Sequence, residues 1–309
     1  MNNIHTVIID MPSTKEIKNR IKSVSDTQKI TNAMYLISST KMRRARKEAE
    51  GTKPYFDLLR KEIRRMFAVE EDITSRYYDS RVDENVAGGR NGILIITGDK
   101  GLAGAYNQNV LKEALALMNR SDEYRLYIVG DFGWRFFRTR GTPVVESFSH
   151  SMNQPSLAMA RDITRELLDD FDDGLFDRLY VCYTEFSGGM SFGNAMYDRL
   201  IPFDRDDFVP QGDETAVDAS AVFEYEPDVK TVLERIMQSY LVGYVYSALV
   251  NSYSSEQSAR MMAMDSANEN ASELLDQLTL EFNHLRQNAI TQEITEISSG
   301  ARSLRSKSK

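Results

Sequence analysis

The sequence predicts an α/β protein in which the N- and C-terminal helices form a long antiparallel α-helical coiled coil, with an inserted α/β domain with a mainly parallel sheet. Three observations predict this arrangement. Helix-breaking residues are almost absent from the C-terminal quarter of the chain. Apolar residues recur at heptad spacing near both ends, and strand-like and helical segments alternate in the middle.

The C-terminal helix is the element on which the other predictions depend. No proline follows Pro227, and Gly243 is the only later glycine before Gly300, so one helix of about 70 residues is expected there. Such a helix is longer than a small domain is wide and needs a partner along its apolar seam. The predicted seam positions alternate by threes and fours: Met261, Met264, Asn268, Ala271, Leu275, Leu278, Phe282, Leu285 and Ala289.

The N-terminal helix supplies that partner. It is predicted to begin with Ser13 or Thr14 as its N-cap, and Gly51 and Pro54 predict a kink or break further along. Its seam is small and polar in the middle, which permits close helix approach but gives little hydrophobic stabilisation. The seam positions are Ile17, Ile21, Val24, Gln28, Thr31, Tyr35, Ser38, Met42, Ala45 and Ala49.

The two helices carry opposite charge. Residues 12–65 contain fifteen Lys or Arg against six Asp or Glu, whereas residues 256–299 contain two Arg against eight acidic residues. A basic helix attracts an acidic one along its length, although each exposed pair contributes only tenths of a kcal/mol. The matched heptads favour pairing over two independently solvated faces.

The middle of the chain predicts a parallel sheet with helices on both faces, because strands and helices alternate. The predicted strands are 93–97, 125–129, 144–145 and 179–183, and the predicted helices are 107–118, 133–140 and 156–171. The chain is therefore divided into an N-terminal extension (1–11), a coiled-coil helix (12–75), an α/β domain (90–215), a second coiled-coil helix (225–300) and a basic tail (301–309). The tail is expected to be disordered, residues 82–91 to be a glycine-rich connector and residues 204–218 to be an acidic loop.

The composition excludes several classes of protein. Hydrophobic residues make up 41% and charged residues 27%, which is ordinary for a globular chain, and no apolar run approaches the roughly 20 residues of a membrane span. The single cysteine, Cys182, excludes an internal disulfide and fits a reducing compartment. The three histidines are scattered, so we predict no metal site, no cofactor and no catalytic residues.

The sharpest local motif is the glycine-rich turn at residues 97–107, which follows a strand and opens a helix. This context suits anion binding, but the spacing matches neither a Walker A loop nor a Rossmann pattern, and a structural turn is favoured. The basic run at residues 41–47 would suit nucleic acid. It lacks interleaved aromatic residues and the net charge is −8, so a protein partner is favoured over nucleic acid.

Two long stretches then carry a family resemblance. TQKITNAM at residues 27–34 with STKMRRA at 39–45, and SEQSARMMAM at 255–264 with RQNAITQEITEI at 286–297, resemble the terminal helices of the ATP synthase gamma subunit, F-type and bacterial-like. The turn DKGL at residues 99–102 is similar to a motif in the middle domain of that family. The resemblance runs from about residue 11 to residue 301.

The resemblance implies a central rotor shaft that couples ion flow through the membrane sector to ATP synthesis or hydrolysis at the beta subunits. In that family the paired terminal helices stand inside a ring of three alpha and three beta subunits, and the α/β domain joins the epsilon subunit and the membrane c-ring. The resemblance therefore implies a non-catalytic, peripheral subunit that contacts the membrane only through the complex. The absence of a transit peptide and of a chloroplast-type cysteine insertion favours the cytoplasmic face of a bacterial cell membrane. Residues 1–10 precede the family start, which suggests Met11 as the initiator.

The resemblance also implies three sets of contact residues. Met34, Lys41, Arg43 and Arg44 would face the acidic lever segments of the beta subunits. Arg286, Gln287, Thr291 and Glu293 would bind the beta-subunit catch loops. Asp99, Lys100, Gly101 and Leu102 would lie in the foot region, near the c-ring or epsilon. The alternative on residue evidence alone is a coiled-coil scaffold protein with a nucleotide-sensing α/β domain.

Overall fold

The computed structural model describes residues 13–69, 77, 89–146, 148, 150–186, 193–203, 208 and 225–307. The predicted extension at 1–11, the acidic loop at 204–218 except residue 208, and most of the connector at 82–91 lie outside these residues. Within the described residues nine elements occur in this order: α1 Thr14–Val69, β1 Arg90–Ile96, α2 Tyr106–Met118, β2 Glu123–Val129, α3 Asp131–Thr139, α4 Leu157–Asp172, β3 Arg178–Glu185, β4 Asn194–Ile201 and α5 Val229–Lys307. They form two compact units, one of residues 1–36 and 264–309 and one of residues 37–263.

The first unit is a pair of antiparallel helices. Ser13 caps α1 by accepting a hydrogen bond from the backbone N–H of Glu16 at 3.2 Å, which confirms the predicted helix start. The side chain of Gln28 donates to Ser272 Oγ at 2.8 Å, and the hydroxyl of Thr31 donates to the side-chain oxygen of Asn268. Because a lower number on α1 pairs with a higher number on α5, the two helices run in opposite directions, as predicted.

The predicted seam positions of this unit lie at the helix interface. Ile17 and Leu278 are buried, and the remaining α1 positions as far as Tyr35 are at least half-buried. On α5 the seam continues in the same way from Met264 to Leu285, but Ala289 is exposed. The heptad prediction is therefore confirmed up to Leu285.

The second unit contains the sheet, whose strand order is β2-β1-β3-β4. β1 pairs in parallel with β2 and with β3, whereas β4 pairs antiparallel with β3, so the sheet is mainly parallel. Ile93, Ile95 and Cys182 pack on one face against α2 and α3. On the other face Leu94, Ile96 and Val181 join a larger core that includes α4 and the parts of α1 and α5 in this unit.

Three sequence expectations are wrong in their details, and one strand was missed. α1 continues through Gly51 and Pro54 without a break, because neighbours such as Ala49 and Phe56 pack against the larger core and hold the helix across the missing N–H of the proline. α5 continues to Lys307, so residues 302–307 are helical rather than a disordered tail. Residues 144–145 form no strand; one hydrogen bond joins the N–H of Val145 to the carbonyl of Leu126 at 3.0 Å. The antiparallel strand β4 was not predicted.

Candidate interaction surfaces

The turn between β1 and α2, predicted as the foot region, is held closed by its own side chains. Asn107 accepts a hydrogen bond from the N–H of Gly98 at 2.9 Å and donates to the carbonyl of Lys100 at 3.4 Å. Leu102 has a φ of 63° and is 66% exposed. A leucine rarely adopts this left-handed backbone conformation, so the turn presents an apolar side chain to solvent at some conformational cost.

Asp99 connects this turn to two other segments. Its carboxylate accepts hydrogen bonds from Ser151 Oγ at 2.7 Å, from the N–H of Met152 at 2.9 Å and from the N–H of Asp131 at 3.2 Å. The last donor lies at the N-terminus of α3, where negative charge is favourable. The carboxylate of Asp99 is therefore used in hydrogen bonds within the chain, whereas Lys100 is exposed.

The crevice beyond the carboxyl ends of β1 and β3 is filled by α5. In open α/β sheets this crevice, where the strand order reverses, is the usual ligand site. Here Ser252 Oγ accepts a hydrogen bond from the N–H of Thr184 at 3.2 Å, immediately before the end of β3. All residues from Ser252 to Met261 are buried, although seven of these ten are polar or charged. A helix of the chain itself thus occupies the position that a nucleotide would take.

Glu256 and Arg260 fix this part of α5 to the β1–α2 turn. The guanidinium of Arg260 lies 2.5 Å from Glu256 Oε1 and donates to the carbonyl of Gly101 at 3.2 Å. Glu256 is only 4% exposed. A Cβ at Gly98 would lie 2.7 Å from Glu256 Oε1, so glycine is required for this close approach.

Burial raises the pKa of Glu256 above its ordinary value, and nearby Asp99 acts in the same direction. Arg260 and Lys41 oppose the shift because they stabilise the carboxylate. The ion pair does not fully offset the desolvation of the carboxyl group, as is common for buried pairs.

The predicted lever residues occur at two places. Met34, in the helix-pair unit, is half-buried. In the other unit Lys41, Arg43 and Arg44 are exposed on α1, and Arg44 forms an ion pair of 2.9 Å with Glu48 one turn away. Lys41 also lines a small cavity of about 70 Å³ together with Asp99, Lys100, Glu256 and Arg260. The structure thus brings the predicted lever lysine next to the predicted foot turn.

The predicted catch residues lie on a fully exposed stretch of α5. Arg286, Gln287, Thr291 and Glu293 are all exposed, and the Thr291 hydroxyl donates to the carbonyl of Gln287 at 2.9 Å. The same stretch exposes a stripe of isoleucines at helical spacing, with Ile294 60% and Ile297 67% exposed. Apolar side chains in such a stripe are typical of a surface that binds a partner.

Comparison with known proteins now identifies the family. The family model described as ATP synthase matches residues 13–304. The ATP synthase gamma chain of Caldanaerobacter subterraneus is 37% identical over 293 residues, which is 93% of this chain and 98% of that protein. The chain belongs to the ATP synthase gamma-chain family.

Other members and a solved structure agree with this assignment. The gamma chain of Acetivibrio thermocellus is 36% identical over 96% of this chain and 100% of its own length. The sodium-ion-specific gamma chain of Acetobacterium woodii is 34% identical over 94% of this chain and 99% of its own length. A chain in the cryo-EM structure of the Euglena gracilis mitochondrial ATP synthase (OSCP, F1 and c-ring) shares the fold, with a TM-score of 0.64, 15% identity and 96% of each chain covered.

Sequence reasoning missed one part of this gamma-chain architecture. The polar run at residues 252–260, whose burial was not predicted from the sequence, is buried against the sheet. The run contains four serines and one alanine, and such small residues allow a helix to pack closely against another part of the backbone. They are the one weak indication of burial in the sequence of this run. Within the described residues no helix is long and apolar enough to cross a membrane.

Proposed function

We propose that this chain transmits torque through its paired helices and that three sets of surface residues couple its rotation to the partner subunits. As a gamma chain, it is the central-stalk subunit of an ATP synthase, whose partners are the alpha and beta subunits, epsilon and the c-ring. The observation that carries this conclusion is the family match over residues 13–304. The continuous helices α1 and α5 are suited to the role because a shaft requires long, stiff elements.

The chain itself is non-catalytic in this proposal and acts on beta-subunit chemistry only through contacts. Supporting this, α5 fills the crevice in which the α/β domain would otherwise hold a nucleotide. A conformational drive requires contacts that differ between states of the partner. An asymmetric shaft that presents different residues to each beta subunit satisfies that requirement.

The lever contacts are Met34, Lys41, Arg43 and Arg44, which would meet acidic segments of the beta subunits. The exposure of the three basic residues supports this assignment. Attraction between opposite charges speeds and orients association more than it adds affinity. Such contacts form and break at each stop of a rotating shaft.

The catch contacts are Arg286, Gln287, Thr291 and Glu293, and the exposure of this stretch of α5 supports them. The foot contacts to epsilon or the c-ring are Asp99, Lys100, Gly101 and Leu102, of which Lys100 and Leu102 are available on the surface. Because the turn lies beside Lys41, a partner at the turn would also be within reach of the lever side of α1. The complex would lie on the cytoplasmic face of a bacterial cell membrane, with this chain peripheral.

The test is a double substitution, Arg286→Ala with Gln287→Ala, in the purified and membrane-reconstituted complex. We expect lower ATP synthesis and a less stable complex, with an unchanged circular dichroism spectrum of the chain. Glu273→Ala with Gln277→Ala is the matched control, since both residues are exposed on the helix-pair part of α5. Wild-type coupling in the first variant would refute the catch assignment.

Two further measurements distinguish the shaft from a nucleotide-sensing scaffold. Alpha and beta subunits should copurify with this chain in the ratio three to three to one. Calorimetric titration of the isolated chain with ATP should show no saturable binding, and saturable binding would favour the scaffold.

A further inference from the structure

Helix α3 and the residue that follows it carry three arginines in a short segment: Arg135, Arg138 and Arg140. The guanidinium of Arg138 lies 4.6 Å from the ring centre of Trp134, and that of Arg140 lies 3.6 Å from the ring centre of Phe136. Arg135 donates to the carbonyls of Asp131 at 3.2 Å and of Asp99 at 3.1 Å. Rings and backbone carbonyls therefore hold these groups in place.

These three arginines contrast with three ion-paired arginines of the same unit. Arg90, Arg125 and Arg165 are each paired with an aspartate at 2.7–3.1 Å. By contrast, no carboxylate in the part of the chain that the structure describes forms an ion pair with the three arginines of α3. The nearby carboxylate of Asp99 already accepts three hydrogen bonds from other groups. In the described residues the three guanidinium groups are thus held without a salt bridge, although the carboxylate of Asp99 lies nearby.

The arginines border an apolar groove. A cavity of about 460 Å³ is lined by Phe132 and Phe136, with Arg135 and Arg140 at its borders and Asp99, Gly101 and Thr139 completing it. We call this the α3 groove. At 100° per residue Phe132 and Phe136 lie on the side of the helix between Arg135 and Arg140. The Arg140 guanidinium lies over the Phe136 ring, so the aromatic floor lies beside Arg135 and beneath Arg140.

We propose that the α3 groove binds an acidic segment of a partner protein, in which carboxylates flank an apolar side chain. The apolar side chain would pack against Phe132, beside the Phe136 ring that Arg140 covers. Each carboxylate would accept paired hydrogen bonds from a guanidinium edge. A phosphate group would use the arginines but leave the aromatic floor exposed, so a protein segment fits the groove better. Because backbone carbonyls hold Arg135 and the Phe136 ring holds Arg140 before binding, less side-chain entropy is lost on binding. The α3 groove shares Asp99 and Gly101 with the proposed foot contacts, so the proposal extends that contact region onto α3.

The test uses two fluorescein-labelled peptides: one with glutamates on both sides of a phenylalanine, and the same peptide with glutamines. Binding to the full chain is followed by fluorescence anisotropy. We expect saturable, salt-sensitive binding of the acidic peptide, and binding of the glutamine peptide weaker by about ten-fold or more. Arg135→Gln with Arg140→Gln should weaken the acidic peptide by a similar factor. Arg165→Gln is the matched control because Arg165 is exposed on α4 and paired with Asp162, and it should leave binding unchanged.

Equal binding of the two peptides, no saturable binding, or loss with Arg165→Gln would overturn the proposal. A second measurement uses the purified complex with a photoreactive benzoylphenylalanine at Thr139, which is exposed and lines the groove. Cross-linking to a segment with acidic residues would support the proposal. Cross-linking to lipid or to a segment without acidic residues, or no cross-link, would refute it. Complex assembly and ATP synthesis are measured in the same samples, so failure here is distinguishable from failure of the shaft assignment.

Discussion

Gly51 and Gly243 both lie inside long helices, yet replacing each with alanine should change stability in opposite directions. A Cβ at Gly243 would lie 2.1 Å from Cδ1 and 2.3 Å from Cε1 of Phe56, whereas a Cβ at Gly51 would meet no atom within 4 Å. Neither glycine has a positive φ. The two substitutions therefore share the helix-propensity effect and differ only in packing.

The magnitudes follow from these distances. Alanine is favoured over glycine in a helix interior by about 0.5–1 kcal/mol, so Gly51→Ala should raise the free energy of unfolding by about that amount. Gly243→Ala gains the same term but forces the Phe56 ring out of its place against the larger core. Overpacking of this kind costs about 1–3 kcal/mol, so the net destabilisation should be roughly 1–2 kcal/mol.

The assay is urea unfolding of the chain, followed by far-UV circular dichroism. Phe56→Ala removes the ring, and in that background Gly243→Ala should become stabilising like Gly51→Ala. If Gly243→Ala were stabilising with Phe56 present, the ring would move aside without cost and the packing argument would be refuted.

Three further predictions concern the buried contacts of α5. Gly98→Ala should lower the free energy of unfolding by about 1–3 kcal/mol because its Cβ would overlap Glu256. Gly101→Ala in the same turn is the control and should be nearly neutral, since there is open space around Gly101. Equal urea midpoints for the two variants would contradict this prediction. Because burial raises the pKa of Glu256, its favourable contribution is complete below the unfolded pKa of about 4.3 and is lost as pH rises through the folded pKa. Glu256→Gln should therefore flatten the fall in urea midpoint above about pH 4, and parallel curves for the two proteins would contradict this. Asn268→Leu should raise the thermal midpoint of the helix pair, since an apolar side chain at this half-buried seam position adds roughly 1 kcal/mol to the free energy of unfolding. A lowered midpoint would mean that the hydrogen bond from Thr31 stabilises the pair more than burial of the leucine does.

The elements with regular periodicity could be predicted from the sequence. Every seam position from Ile17 to Ala49 is buried or half-buried, because a heptad pattern determines which helix face is apolar without reference to the rest of the fold. The strands β1, β2 and β3 were recognisable for a similar reason: their apolar runs reflect burial on both faces of a parallel sheet.

The parts that sequence could not predict depend on tertiary contacts. β4 is an edge strand with mostly half-buried residues, and its Asp198 and Arg199 hide any strand pattern. The burial of Glu256 and Arg260 depends on contact between α5 and the β1–α2 turn, two parts of the chain that are far apart in sequence. The α3 groove could not be predicted either, since the pair Phe136-Phe137 is compatible with core or surface, and only the structure shows Arg140 lying over Phe136. The contact residues on α1 and α5 were named through the family resemblance, because exposed polar residues leave no periodic signal.

The occupation of the sheet crevice by α5 limits the way in which this domain could be regulated by a small molecule. Any small molecule that enters at the ends of β1 and β3 must compete with Ser252, Glu256 and Arg260, which are covalently attached and always present. Its apparent affinity is reduced by the small fraction of molecules in which the helix has left the crevice. A ligand that bound there would displace α5 from the sheet. The domain therefore cannot sense a small molecule at this site without releasing the helix that it holds.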